Sequence, residues 1–328
     1  MDAFYDEYIS PRLPDKILDF HTHVWMPDQW IKKPETSWYV ATDTEYPLAA
    51  LMEDGRLSFP DKEFYAVCFG HPTPVVNTAL TNAYVAKSTK KELRLYPLLV
   101  AGSGKVAPDV IERELNNNGF LGYKVFLDWH GNEYGSIRVE DMLNEAEIEI
   151  ADRRRLVVLL HVPRSGRLAD PVIQAGVRKL SKACPNASIV LAHCGRCYHP
   201  LEMNMAVASI ANLENVYMDT SMVMEPIVVM KAIKAMGAGR VLFGSDFPVA
   251  NMRGKRVNIR DHWVDIVAQG YPQCQYRVGS DAFNTMYMAQ EIALSVVIAA
   301  DAAGIDQEAL NGIFYNNGIK ILERAASI

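Results

Sequence analysis

Short, nearly continuous apolar runs recur along the chain at Lys16–Phe20, Phe64–Phe69, Leu93–Val100, Leu121–Leu127, Leu156–Val162, Ser188–Ala192, Asn215–Asp219 and Arg240–Phe243. Runs of this kind read as parallel strands covered on both faces. Helix-like stretches lie between the later ones, at Val139–Asp152, Pro171–Ala183, Glu202–Ala211 and Pro226–Met236. Eight strands with intervening helices point to an α/β chain folded as a distorted (β/α)8 TIM barrel rather than a doubly wound sheet. The first half is less regular than the second. Helical patterns near Met286–Ala303 and Gln307–Ala326 predict C-terminal helices packed on the barrel wall.

Two irregular stretches interrupt the alternation. Val24–Pro60 follows the first strand and carries Trp25, Trp30 and Trp38; Ala250–Asn284 follows the last and carries Arg253, Lys255, Arg256, Arg260, His262 and Trp263. In a barrel both leave from the C-terminal rim, where active sites sit. The chain is therefore read as a single domain over 1–328 with rim insertions at about 24–60 and 250–284. The first insertion is expected to cap the site with its tryptophans.

Composition narrows the class. With 49% hydrophobic and 22% charged residues, the 328-residue chain is globular rather than disordered. A net charge of −6 lacks the basic footprint of a nucleic-acid binder. No apolar run reaches the roughly 18 residues of a membrane span. No basic segment followed by an apolar core opens the chain, and the five cysteines are odd in number and scattered, so a cytoplasmic location with reduced thiols is expected.

The candidate chemistry begins at Asp19-Phe20-His21-Thr22-His23. Side chains alternate along a strand, so His21 and His23 face the same way, and two imidazoles at one strand end can share a metal ion. Asp19 has the same parity and is read either as orienting them or as a hydrogen-bonded structural carboxylate at the barrel floor. His161 closes the run Val157–Leu160, His193 closes Ile189–Ala192, and Asp246 ends the eighth strand. Strand ends of a barrel converge on one site, so four histidines and an aspartate in these positions point to a metal centre.

These pieces resemble the amidohydrolase superfamily, in its amidohydrolase-2 branch of metal-dependent hydrolases and decarboxylases. The likeness rests on Asp19–His23, Gly122-Tyr123-Lys124, Leu160-His161, Ala192-His193-Cys194-Gly195, Tyr217–Ser221, Phe243–Pro248 and Tyr315-Asn316-Asn317. The resemblance implies that His21, His23 and His161 ligate the metal, with Asp246 as ligand, general base or both. It implies that His193 polarises a substrate carbonyl or ligates the metal directly. One divalent ion is expected, Zn first, with Mn or Fe as alternatives.

Lys124 keeps three readings open: a contact to a substrate carboxylate, a carboxylated bridge between two metals, or a structural ion pair. Arg164 and Arg196 follow two of the site histidines and are candidates to bind an anionic substrate. The Cys194–Cys197 pair lacks the further ligands of a zinc site and is set aside. Phosphoesterases that also open on H-x-H carry a late Asp-x-His or a fourth-strand Glu, whereas this chain has Asp246-Phe247-Pro248 and Lys124.

The expected activity is metal-dependent hydrolysis of a small, carboxylate-bearing amide, ester or lactone. The alternative is metal-dependent, non-oxidative decarboxylation of an aromatic or unsaturated acid. The expected partner is a small, anionic substrate, with neither nucleic acid nor membrane. A homodimer is expected only because dimers are common in that branch.

Overall fold

The computed structural model describes residues 3–32, 45–127, 129, 135–260, 262–268, 276–277 and 285–327. Eight parallel strands form its centre. They are β1 (Lys16–His23), β2 (Glu63–Phe69), β3 in two short segments (Leu95–Pro97 and Leu99–Val100), β4 (Gly122–Val125), β5 (Val157–Leu160), β6 (Ser188–Leu191), β7 (Val216–Asp219) and β8 (Val241–Leu242). Each of the eight apolar runs holds one strand. The strands pair in sequence order. Leu98 N to Cys68 O, 3.0 Å, carries the pairing across the break in β3.

The last strand returns to the first. Phe20 N donates to Phe243 O, Asp246 N to His21 O, and His23 N to Phe247 O, each at 2.9 Å. Those bonds join β8 and the segment after it to β1, so the ends that carry His21, His23 and Asp246 share one seam.

The outer helices are α1 (Leu48–Ser58), α2 (Thr78–Thr89), α3 (Pro108–Asn118), α4 (Glu145–Arg153), α5 (Pro171–Ala183), α6 (Pro200–Ala206), α7 (Pro226–Met236), α8 (Met288–Ala303), α9 (Gln307–Asn311) and α10 (Asn317–Ala326). Their starts follow local chemistry. Pro opens α3, α5, α6 and α7, where its missing N–H costs nothing, and Asp170 accepts from Val172 N to cap α5. The expected helix at Val139–Asp152 is broken by an Asn144 capping box, so only Glu145–Arg153 is α-helical.

Two layers of core result. A large layer lies between strands and helices. A smaller cluster of alternate strand residues fills the barrel: Leu18 and Phe20 meet Val67, Phe69, Val157, Leu159, Val190 and Leu242. The final helix adds Ile321 and Leu322 to that inner cluster instead of lying only on the wall. Gly318 permits the approach, since a Cβ there would stand 2.6 Å from Leu18 Cδ2.

Both rim insertions carry structure. The first contains helix α1 and pairs Trp25 with Tyr46 and Trp30 with Val76. Trp25 is fully buried and Trp30 partly so, while Trp38 lies outside the described residues. The second insertion, expected to be irregular, forms an antiparallel hairpin of β9 (Gly254–Ile259) and β10 (His262–Val267), with β11 (Tyr276–Arg277) parallel to β10.

Candidate metal centre

The two histidines of β1 reach the barrel interior through an irregularity. Leu18 and Phe20 already point inward, so strict alternation would turn His21 and His23 out. The register against β2 shifts between Asp19 and Thr22, a bulge that returns both imidazoles to the inside. Their rings stand 5.5 Å apart, and both pack on the Phe69 ring. Asp19 has the structural one of the two roles expected of it. Its Oδ1 accepts from the backbone N of His21 (3.1 Å) and Ser245 (2.9 Å), fixing the seam rather than the rings. Burial pushes its carboxyl up to about 7.

Ligand atoms of His21, His193 and Asp246 all lie within 4.8 Å of one another, and all three side chains are buried. Asp246 Oδ1 is 3.4 Å from His21 Nε2 and 3.1 Å from His23 Nε2. His161 stands next to this group, its ring 4.8 Å from that of His193 and 4.9 Å from Phe126. Its Nδ1 is buried with no partner among the described residues.

His193 is delivered by an unusual turn. His193, Cys194, Gly195 and Arg196 have φ of 55°, 51°, 66° and 61°, so four successive residues are left-handed. For non-glycine residues this costs roughly 1–2 kcal/mol each. Asp246 is left-handed as well, at φ 79°. Strain of this sort persists where surrounding contacts over-determine it, and it gathers at functional sites.

Asp219 and Ser221 supply those contacts. Asp219 Oδ2 accepts from His21 Nδ1 at 2.9 Å. Its Oδ1 accepts from His193 N (2.8 Å), Ser221 N (3.0 Å) and the Ser221 hydroxyl. His193 Nδ1 lies 3.1 Å from the Ser221 carbonyl, which can only accept, so Nδ1 carries the proton. Both imidazoles are thereby tied at Nδ1, and in the neutral ring each offers its Nε2 lone pair to the centre. A carboxylate or carbonyl behind a histidine is the usual support of a metal ligand. The sequence marked this strand end as part of the resemblance without giving Asp219 or Ser221 a role.

Burial keeps the imidazoles neutral. It holds His21, His23 and His161 well below their ordinary value, helped by the charge of Lys124, and His193 at about 3. Burial lifts Asp246 to about 6 against the opposing pull of His193 and Lys124. Lys124, fully buried, places Nζ 2.8 Å from His21 Nε2 and 4.7 Å from the centre of the Phe69 ring. Burial lowers it to about 8, with Asp246 and Asp219 opposing.

Arg164 and Arg196, expected to bind an anionic substrate, each have protein partners. Arg164 Nε binds Asp170 Oδ2 at 2.7 Å. Arg196 Nη1 donates to the carbonyls of Val162 and Arg164, each at 3.0 Å, and braces the loop after β5. Near the centre lie Tyr198, whose ring is 6.2 Å from that of His193, and the buried His71, set edge-on to Trp25 and Trp30. Neither stood out in the sequence, because neither ends an apolar run. Cys194 and Cys197 are free, buried thiols.

The donor set fits a divalent metal. Neutral imidazoles and one carboxylate converge, two of the rings are locked in the ligating tautomer, and such nitrogen and oxygen donors suit Zn, Mn or Fe. No helix among the described residues is long and apolar enough to cross a membrane.

Comparison with known proteins agrees with this architecture. An amidohydrolase from Burkholderia multivorans, solved with zinc bound, matches with a TM-score of 0.63 at 15% identity, over 94% of this chain and 99% of that one. 2,6-Dihydroxybenzoate decarboxylase in complex with 2,6-dihydroxybenzoate matches with a TM-score of 0.59 at 12% identity, over 94% and 100%. A candidate 2-pyrone-4,6-dicarboxylic acid hydrolase from Pseudomonas putida matches with a TM-score of 0.58 at 15% identity, over 95% and 98%. At such identities the likeness shows the fold alone, a (β/α)8 barrel. Among curated proteins none matches. The pattern of the family described as amidohydrolase matches residues 18–324, nearly the whole chain, and the protein belongs to that amidohydrolase family.

Proposed function

We propose that the protein is a metal-dependent hydrolase of a small, carboxylate-bearing ester, lactone or amide. The observation that carries this reading is the convergence of His21, His193 and Asp246 within 4.8 Å, with Asp219 and Ser221 behind the two rings. These three would hold the ion, with His23 beside the same Asp246 oxygen and His161 on the flank of His193. When bound, a divalent ion, zinc first, supplies Lewis acidity that lowers the pKa of water and polarises a carbonyl.

The side chains then divide the remaining work. Asp246, lifted to about 6 by burial, accepts a proton from the attacking water and returns it to the leaving group. His193 is a lone-pair donor at Nε2 in this arrangement, so it is better suited to ligation than to donating to an oxyanion. Lys124 takes that second role. It is a buried ammonium at the centre, and it is placed to hold a developing oxyanion or a substrate carboxylate.

The test joins metal content to turnover. About one equivalent of zinc or manganese per chain by elemental mass spectrometry is expected, with hydrolysis of carboxylate-bearing lactones or esters. Asp246→Asn should keep its melting temperature within a few degrees and lose at least a hundredfold in kcat. Wild-type turnover in that variant would refute the base. Release of CO2 from an aryl carboxylic acid, without hydrolysis, would assign the same residues to decarboxylation.

A further inference from the structure

The rim hairpin is built around one cation. Arg256 on β9 faces Asp265 on β10 across the ladder and binds it through two bonds, Nε to Oδ1 at 2.9 Å and Nη2 to Oδ2 at 3.0 Å. Its guanidinium lies 3.9 Å from the centre of the Trp263 ring and 4.6 Å from that of Tyr198. Asn258 on the same strand donates to Tyr198 O at 3.2 Å and to Glu225 Oε2 at 3.0 Å. A second guanidinium, that of Arg167, stands 5.3 Å from the Tyr198 ring and is itself paired with Glu202. Glu202 Oε2 in turn accepts from Tyr198 N at 3.0 Å.

Tyr198 is thus clamped through its ring and both of its backbone polar groups. It is only half-buried, its ring centre stands 6.2 Å from that of His193, and its side chain is hydrogen-bonded by Arg256, whose guanidinium can only donate, so the phenolic proton stays available. Burial raises its phenol against the lowering influence of the arginines, so the group remains a protonated donor at neutral pH. Arg256 and Arg167 each have their charge balanced by a carboxylate, which leaves them as positioning groups rather than anion receptors.

We propose that Tyr198 contacts the substrate, donating its phenolic proton to a carboxylate oxygen of the small acid, and that the stacked Arg256–Asp265 pair positions it. This rests on the reading of the centre as a site for carboxylate-bearing substrates. It places the hairpin in the specificity wall of the pocket.

The test is binding rather than turnover. Benzoate and its neutral counterpart benzamide are titrated calorimetrically into the zinc-loaded full-length protein, its Tyr198→Phe and Arg256→Lys variants, and the double variant. Loss of one hydrogen bond to a charged group weakens binding by about tenfold. That loss is expected for benzoate in Tyr198→Phe, with less than a threefold change for benzamide. Arg256→Lys should weaken benzoate severalfold, and the double variant should be no weaker than Tyr198→Phe alone, since a positioning residue acts through the group it positions. Equal benzoate affinity in wild type and Tyr198→Phe would overturn the proposal, as would equal weakening of both probes or no benzoate binding to the wild type. Benzoate bound through Tyr198 by a protein that hydrolyses no ester or lactone would refute the hydrolytic reading alone.

Discussion

Replacing Gly195 by alanine tests the turn that delivers His193. Two costs follow from the structure. At φ +66° an alanine enters the left-handed region, at roughly 1–2 kcal/mol. Its Cβ would also stand 2.7 Å from Leu168 Cδ2 and 2.8 Å from Leu168 Cβ, against a fully buried side chain. Overpacking of that kind costs about 1–3 kcal/mol. The total is about 2–5 kcal/mol. Unfolding entropy near 2.1 cal/mol/K per residue gives about 0.7 kcal/mol/K for 328 residues, so the melting temperature should fall by about 3–7 °C. Gly119, which ends α3 at φ +68° with nothing within 4 Å of its would-be Cβ, isolates the backbone share. Gly119→Ala should cost only about 1–3 °C by the same conversion. Scanning calorimetry of both variants separates the terms. Equal shifts in the two would refute the Leu168 clash, and no shift in either would refute the assignment of backbone strain.

Asp219→Asn removes the charge and turns one of two accepting oxygens into a donor, so the bond to His21 Nδ1 or those at His193 N and Ser221 must be lost, and zinc affinity measured by competition with a chelator should fall about 10–100-fold while the far-ultraviolet spectrum is retained. Unchanged affinity would remove Asp219 from the support of the centre. Away from the site, burial would lift Glu112, but hydrogen bonds from Arg153 and Arg154 more than reverse this and hold its carboxyl below the ordinary range. A depressed carboxylate stabilises the fold above its unfolded pKa, and that stability is lost as pH falls through its folded value. Glu112→Gln should therefore cost about 1 kcal/mol at pH 7. The difference from wild type should shrink in melts below the folded pKa, and a gap that widened with acid would reverse the sign.

The strands were legible because the interior of a parallel barrel demands apolar residues on both strand faces, and nothing else in the chain shows that pattern so plainly. Helices α1, α2 and α3 were not anticipated. Helix α2 turns Thr81, Asn82 and Ser88 toward the core beside Val85 and Ala86, so no apolar stripe marks it, and α3 buries only Ile111 and Leu115. The hairpin was hidden too. No Asn-Gly or Asp-Gly pair, the signal of a two-residue turn, lies between Ile259 and His262, which pair at its end. At the centre, residues ending apolar runs were found and their supports were not. Ser221 lies beyond its strand, and a serine has no sequence signature until Asp219 and His193 are seen to meet on it. Arg164 and Arg196 show what the sequence hides in another way. Their charge on the rim is plain in the sequence, but the partners beside it, Asp170 and backbone carbonyls, are seen only in the fold.

The seam between β1 and β8 has a consequence for biosynthesis. His21 and Asp246 are 225 positions apart, and the bond from Asp246 N to His21 O is made only when the eighth strand arrives. Contacts this distant in sequence form late in folding. A nascent chain emerging from the ribosome carries its paired histidines long before the aspartate that completes them. The convergence of His21, His193 and Asp246 is therefore a property of the finished chain, reached only when the eighth strand closes the ring.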